Sequence, residues 1–189
     1  AMVINMLRFK LGDTNFFQGL QNYLNDPLLA YGYAKTPNLQ AHLEASSGLN
    51  LTEFFNDWVY NQGYPIYNIE AHNIGNGQAR ITINQSQSDP SVSFFEMPIP
   101  IRLFGSGGQQ QDYVLDNTTD GQQFIVNVPF TVTSIILDPK KDILTSTESI
   151  ASLGATSFDL SSSVVLYPNP ANSVINIETP NLYTLQNVI

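Results

Sequence analysis

The 189-residue chain contains no cysteine. This excludes disulfide bonds, thiolate metal sites and cysteine nucleophiles. It also lacks any run of about 18 apolar residues, so the sequence predicts no membrane-spanning helix. Basic residues are few: 7 Lys and Arg stand against 16 Asp and Glu, giving a net charge of −9. That charge argues against nucleic acid and anionic membranes as partners. A hydrophobic content of 42% with 12% charged residues predicts a folded chain.

Histidine is scarce as well. His42 and His72 are the only two, and they lie far apart in the sequence. A helical zinc site of the His-Glu-x-x-His type needs two histidines four residues apart, and His42 has no such partner. We therefore predict that neither histidine binds a metal.

Other catalytic patterns are also missing. No Gly-x-Ser-x-Gly elbow occurs, and the cluster 105–108 (Gly-Ser-Gly-Gly) predicts a polar hairpin tip. Asp112, Asp116 and Asp120 recur at a spacing of four, whereas a calcium loop places acidic ligands at alternate positions. We interpret them as exposed turn aspartates, with a weak calcium site as the alternative. The sequence thus predicts no catalytic, cofactor-binding or metal-ligating residue in this chain.

Residues 1–63 have the apolar spacing of four short antiparallel helices. The first is predicted to end at Gly12 in a left-handed cap, and Asp13 to cap the second. Thr36 and Pro37 predict the N-cap and first residue of the third helix, which Gly48 ends. The apolar face of the second helix consists of Phe16, Phe17, Leu20, Tyr23 and Leu24.

The fourth helix has the clearest pattern of the chain. Its inward stripe is Leu51, Phe54, Phe55, Trp58 and Val59, at i, i+3, i+4, i+7 and i+8. Asn50 and Glu53 have the spacing of a capping box, and Gly63 with Pro65 predicts a firm end.

From residue 64 to 144 the apolar period changes from 3.6 to 2, as in Ala79, Ile81 and Ile83. Six or seven short strands separated by turn signals predict an antiparallel β-sandwich. Pro98 and Pro100 cannot donate to a ladder, so the strand from Met97 to Leu103 is predicted to lie at an edge or to be only partly paired. Residues 145–163, rich in Ser and Thr, predict a flexible linker, and 164–189 a truncated β tail. The fold class is therefore α+β with several domains.

The segment 51–65, with Trp58 followed by Gly63-Tyr64-Pro65, resembles the zinc aminopeptidases of the alanyl-aminopeptidase (gluzincin) family. Three more segments match in order: 1–8, 11–24, and the pair Pro98–Ile101 with Ile136–Leu144. The resemblance implies that 1–63 ends a metallopeptidase catalytic domain and that 64–144 is the sandwich after it. It also implies that the zinc ligands, the general-base glutamate and the transition-state tyrosine precede residue 1. The parent would then use zinc to remove N-terminal residues from peptides, while this chain would hold no cofactor and be inactive alone.

The stretch 166–171 (Leu-Tyr-Pro-Asn-Pro-Ala), followed by Val174–Ile177, resembles the start of the C-terminal sorting domain of proteins exported by the type IX system. This implies a secreted or cell-surface parent. A proline-turn hairpin without a sorting role is the alternative. Two strands alone do not form a stable sheet, so we predict either disorder after about residue 160 or order gained by strand addition to a sandwich edge.

A second functional class stays open, a secreted β-sandwich module that binds carbohydrate or protein. A row of exposed aromatic side chains on one sandwich face would favour it, and Tyr64, Tyr67 and Tyr113 are the candidates. A candidate partner of the isolated chain is another copy of itself, through strand edges or through the helical face that bears Val3, Ile4, Leu7 and Leu11. We expect that face to be covered by the sandwich, by another chain or by repacked helices.

Overall fold

The structure is a computed structural model that describes residues 1–153, 165–167 and 176–178, with side chains through residue 146. The described residues of the first unit, Ala1–Gly154, form four α-helices and seven strands, and those of the second, Ala155–Ile189, form two strands. No helix among the described residues is long and apolar enough to cross a bilayer. The helices are α1 Met2–Leu11, α2 Asp13–Leu24, α3 Thr36–Ser47 and α4 Thr52–Phe55, and a π-helical turn, Asn56–Tyr60, continues α4.

One residue, Gly12, joins α1 to α2. It has φ 73° and ψ 156°, so the predicted left-handed helical cap is wrong, although the positive φ still favours glycine. The backbone leaves α1 and enters α2 without a loop, which requires this extended geometry. Asp13 is the first residue of α2 rather than its cap. Its carboxylate accepts two hydrogen bonds from Arg8, at 2.7 and 2.9 Å.

Helices α2 and α3 pack closely through Gly19 and Leu43, which are both buried. The predicted apolar face of α2 is only partly used: Phe16 is buried, but Phe17 is 47% and Leu24 76% exposed. The N-cap of α3 is Lys35 rather than Thr36, and the Asn38 side chain accepts a 2.9 Å bond from the Lys35 backbone N–H. Gly48 ends α3 in the left-handed conformation, as predicted.

The fourth helix differs most from its prediction. After Phe55 it widens into the π-helical turn, where the Asn61 N–H donates to the Asn56 carbonyl five residues back (2.9 Å). The wider turn buries Asp57 and leaves Val59 40% exposed.

The capping box predicted for Asn50 and Glu53 is not formed. Asn50 accepts a 2.8 Å bond from the Thr52 N–H, and Glu44 of α3 accepts one from the Leu51 N–H, also at 2.8 Å. A carboxylate from the neighbouring helix therefore bonds a backbone donor at the start of α4.

The strands of the first unit form two sheets, ordered β5-β2-β1-β7 and β4-β3-β6. The predicted sandwich of α+β class is confirmed, and its strands are antiparallel apart from β1 and β7, which are parallel. The core lies between the sheets, with Tyr67, Ile69, Ile81, Ile99 and Ile101 fully buried. The strands are β1 Pro65–Gly75, β2 Gln78–Gln87, β3 Met97–Gly105, β4 Gln110–Asn117, β5 Gln122–Asn127, β6 Val132–Leu137 and β7 Ser146–Leu153.

Strand β3 is the centre of its sheet, so the edge position predicted from its prolines is wrong and the alternative, partial pairing, is right. It pairs with β4 from Met97 to Phe104, but with β6 only from Ile101 onward. The Asp138 N–H donates to the Pro100 carbonyl (2.8 Å), but Pro100 has no N–H to return the bond. The ladder with β6 therefore stops at the proline.

Part of the predicted linker is a strand. Residues 146–153 form β7, which pairs with β1 from Ile66 beside Ser146 to His72 beside Leu153. The Thr145 hydroxyl donates to the Pro65 carbonyl at the start of this pairing (3.0 Å). An edge strand is held by backbone bonds, so a Ser- and Thr-rich composition does not prevent it. The remaining linker residues lie outside the described part of the chain.

In the second unit, β8 (Val165–Tyr167) and β9 (Asn176–Glu178) pair with each other in antiparallel register. The prediction for this tail, either disorder after about residue 160 or strand addition to a sandwich edge, falls mostly on residues outside the described part of the chain and stays a prediction. The turn between β8 and β9 and the residues after 178 lie outside the described residues.

Candidate functional site

The most unusual polar group is the carboxylate of Asp57, where the helices meet the sandwich. Asp57 is 4% exposed, and its Oδ2 has no hydrogen-bond partner. Burial raises the pKa of Asp57 to about 6, and the negative charges of Glu53 and Glu96 act in the same direction. Two weaker effects lower the pKa of Asp57: the Glu96 backbone N–H donates a hydrogen bond to the carboxylate, and Lys10 contributes a positive charge. The group can therefore take up a proton just below neutral pH.

Trp58, the next residue in the chain, packs against two aromatic rings. The Trp58 ring lies 4.7 Å from that of Phe95, centroid to centroid, and 6.3 Å from that of Phe54. Gln85 holds the backbone of Phe95 on both sides: its Oε1 accepts from the Phe95 N–H (2.8 Å), and its Nε2 donates to the Phe95 carbonyl (3.1 Å). We call this set, Asp57, Trp58, Gln85 and Phe95, the junction cluster. It fixes the helical residues against the loop between β2 and β3.

A cavity of about 480 Å³ opens among the helices beside the junction cluster. Val3, Ile4 and Leu7 line it from α1, Leu39 from α3 and Trp58 from the π-helical turn, and Lys35 adds a charge. This is the helical face that the sequence predicted to need a partner. Leu7 and Leu11 are covered, whereas Ile4 remains 43% exposed.

The two histidines lie apart, and each meets one carboxylate. His42 Nε2 is 3.0 Å from Asp26 Oδ2, and His72 Nε2 is 3.5 Å from Glu70 Oε2. Across residues 1–146, where side chains are described, no three His, Asp or Glu side chains are grouped as a metal site requires.

The three regularly spaced aspartates do not converge. Asp112 pairs with Arg102 through two bonds, at 2.5 and 2.7 Å, and Asp116 is exposed farther along the same strand. Asp120 accepts a 2.7 Å bond from the Gln85 N–H. The calcium alternative gains no support from this arrangement. The cluster 105–108 is the predicted hairpin tip, closed by a 2.9 Å bond from the Gly105 N–H to the Gln109 carbonyl.

The candidate tyrosines do not form a row. Tyr67 is fully buried, and burial raises the pKa of its hydroxyl. Tyr113 is half-buried, with its hydroxyl donating to the Asn127 carbonyl, and Tyr64 is 39% exposed. The aromatic platform expected of a carbohydrate-binding module is therefore not found at these positions.

Sequence reasoning missed Asp57 and Gln85. One signal was available for Asp57: a carboxylate stands between Phe55 and Trp58 inside an apolar stripe. A similar signal marks Gln85, a polar residue that continues the inward alternation of Ala79, Ile81 and Ile83.

No protein-family model matches the chain. Similar curated proteins are aminopeptidases. Aminopeptidase M1-A of Oryza sativa subsp. japonica is 29% identical over 133 residues, covering 65% of this chain and 15% of the rice protein. The puromycin-sensitive aminopeptidase of Caenorhabditis elegans is 25% identical over 140 residues, 66% of this chain and 15% of that protein. Aminopeptidase M1 of Arabidopsis thaliana is 30% identical over 118 residues, 62% of this chain.

A solved structure has the same fold. The crystal structure of Legionella pneumophila aminopeptidase A in complex with aspartic acid superposes with a TM-score of 0.61 at 16% identity. The match covers 80% of this chain and 17% of the Legionella chain. The present chain is thus similar to one part of aminopeptidases, about 15% of the length of the first two relatives.

Proposed function

We propose that this chain is part of a zinc-dependent aminopeptidase that removes N-terminal residues from peptides. The observation that carries the proposal is its similarity to several aminopeptidases over about two thirds of its length. Residues 1–63 would end the catalytic domain, and 64–144 would form the sandwich that follows.

In this proposal the chain supplies scaffold rather than chemistry. Zinc peptidases need metal ligands and a base beside the metal-bound water, and the described side chains contain no such group. The ligands would lie in other parts of the parent, so the isolated chain would be inactive. What this chain contributes is rigidity, since the junction cluster holds the helices on the sandwich.

We also propose export. The support is the stretch 166–171 and the antiparallel pairing of β8 with β9, which fits the first two strands of a type IX sorting domain. The parent would then be secreted or held at the cell surface.

The proposed partners differ between the parent protein and the isolated chain. The parent would act on peptides, whereas a second copy is the partner proposed for the chain itself, through a strand edge or through the helical face around Ile4.

The test begins with the coding sequence upstream of Ala1. It should encode His-Glu-x-x-His and a later glutamate ligand. The complete protein should bind about one zinc per chain and release amino acids from aminoacyl-nitroanilides, and replacing the motif glutamate by glutamine should abolish release. The 189-residue chain should do neither. A complete protein with an intact motif and no turnover of any aminoacyl substrate would contradict the proposal.

A further inference from the structure

Strand β5 (Gln122–Asn127) is the edge of the four-stranded sheet, paired with β2 on one side only. Just beyond the paired residues, the Val128 N–H donates to the Gly77 carbonyl (2.6 Å). This bond shows which residues of β5 direct their backbone groups toward β2. In antiparallel pairing, alternate residues bond to the partner strand. Gln122, Phe124 and Val126 therefore face β2, and the backbone groups of Gln123, Ile125 and Asn127 point away from it.

This outward side of β5 has little cover. The Asn127 carbonyl accepts the Tyr113 hydroxyl, which blocks one end. No strand among the described residues pairs with the outward groups of Gln123 and Ile125. They form a short row of donors and acceptors.

The side chains of β5 do not protect this edge. Natural edge strands usually carry charges or prolines that discourage pairing with other chains. The edge strand of the other sheet, β4, has Asp112 and Asp116, whereas β5 reads Gln-Gln-Phe-Ile-Val-Asn without a charge or a proline. Ile125 is 64% exposed at its middle.

We propose that two copies of this chain associate by antiparallel pairing of their β5 strands about a two-fold axis at Ile125. In this register Ile125 lies opposite Ile125 of the other copy and Gln123 opposite Asn127. Because the Asn127 carbonyl already accepts the Tyr113 hydroxyl, the backbone bonds of the pairing form chiefly at the central Ile125 pair. This pairing covers the exposed apolar surface of Ile125 and brings the amide side chains of Gln123 and Asn127 together. The four-stranded sheets of the two copies then form one continuous sheet. This inference does not depend on the aminopeptidase proposal.

The dimer is weak. A pairing of six-residue strands buries less than the roughly 1,200–2,000 Å² of stable complexes. Each copy carries a net charge of −9, so repulsion opposes association and salt that screens it favours the dimer.

The absence of native cysteine permits a direct test in the full chain. In this register Ile125 faces itself as a hydrogen-bonded pair, with Cα atoms about 5.5 Å apart, within disulfide range. Ile125→Cys should give a cross-linked dimer under mild oxidation. Gln123→Cys alone should not, because its symmetry mate is four residues away along the strand. A mixture of Gln123→Cys and Asn127→Cys chains should cross-link.

Sedimentation velocity over a concentration series provides the second readout. The unmodified chain should shift toward dimer with concentration and with salt, and Ile125→Lys should remove the shift. Val114→Lys is the matched control, since Val114 is 59% exposed on edge strand β4; it should leave the shift unchanged. The proposal would be overturned by a monomer at every concentration or by equal effects of the two lysine variants. It would also be overturned by equal cross-linking of Ile125→Cys and Gln123→Cys, or by a chain that captures an added β5 peptide without forming a dimer.

Discussion

Gly19 of α2 lies directly against Leu43 of α3, so that a Cβ at Gly19 would stand 2.8 Å from Leu43 Cδ2. The same atom would be 2.7 Å from Ser46 Oγ and 3.2 Å from the His42 carbonyl. Gly19→Ala should therefore force the Ser46 and Leu43 side chains to shift, at a cost of about 1–3 kcal/mol for overpacking. Set against a helix-propensity gain of about 1 kcal/mol, a net loss of stability of up to about 2 kcal/mol is expected. Urea unfolding measures the loss. Gln21→Ala, on the exposed side of α2, should change stability by less than about 0.5 kcal/mol, and equal effects of the two variants would refute close packing.

The turn between α1 and α2 gives a second prediction. Gly12 has φ 73°, and nothing lies within 4 Å of where its Cβ would be. Any cost of Gly12→Ala therefore comes from the backbone, which lies in a region open essentially to glycine alone, and is about 1–3 kcal/mol. Gly32→Ala is the control, because its Cβ would make ordinary contacts, the nearest at 3.6 Å, without a positive φ. It should be neutral or slightly stabilising. Thermal and urea unfolding of both variants would decide, and a neutral Gly12→Ala would contradict the assigned geometry.

Asp57 makes stability depend on pH. Its pKa is about 6 in the folded chain and 3.8 for the ordinary group, so between these values the folded state binds more protons than the unfolded state. The stabilisation from the protonated carboxyl is complete below pH 3.8 and is lost as pH rises through 6. Asp57→Asn should remove this loss. Relative to the unmodified chain, the variant should gain about 1–3 kcal/mol between pH 4 and pH 7.5.

Urea unfolding at a series of pH values measures this gain. Asp116→Asn, an exposed change on strand β4 whose carboxylate is not among the charges that act on Asp57, is the control and should leave the pH profile nearly unchanged. Parallel profiles for the unmodified chain and Asp57→Asn would show that the carboxylate does not titrate as described.

Gln85 should be the most sensitive polar residue of the junction cluster. Gln85→Leu keeps the volume but leaves the Phe95 N–H and carbonyl unbonded, and each orphaned group costs about 1–3 kcal/mol. Because Trp58 is the only tryptophan and packs on Phe95, its fluorescence should change together with the loss of stability. Gln87→Leu, near the end of the same strand, should alter neither. A stable Gln85→Leu variant with unchanged emission would show that the two Gln85 side-chain bonds do not hold Phe95 in place.

The predictions that succeeded rest on local patterns. Apolar spacing located the four helices, and alternation located the strands through β6. The π-helical turn was not predicted, because hydrogen bonds to the residue five positions back do not change an apolar spacing that also fits an ordinary α-helix. The strand β7 escaped because its pairing with β1 is made by backbone groups, which every sequence supplies. Asp57 and Gln85 escaped for a related reason: their roles depend on residues that are distant in sequence, Glu96 and Phe95.

The pairing of β1 with β7 also sets an order on folding. The Thr145 hydroxyl and the Pro65 carbonyl are 80 residues apart in sequence, so this contact closes a long loop and is slow to form. During synthesis β1 can pair with β2 as soon as the hairpin emerges, but its other side waits until residue 153 has left the ribosome. Until then β1 is itself an open edge, and a nascent chain that stalls between β6 and β7 exposes a strand that the finished sheet keeps covered.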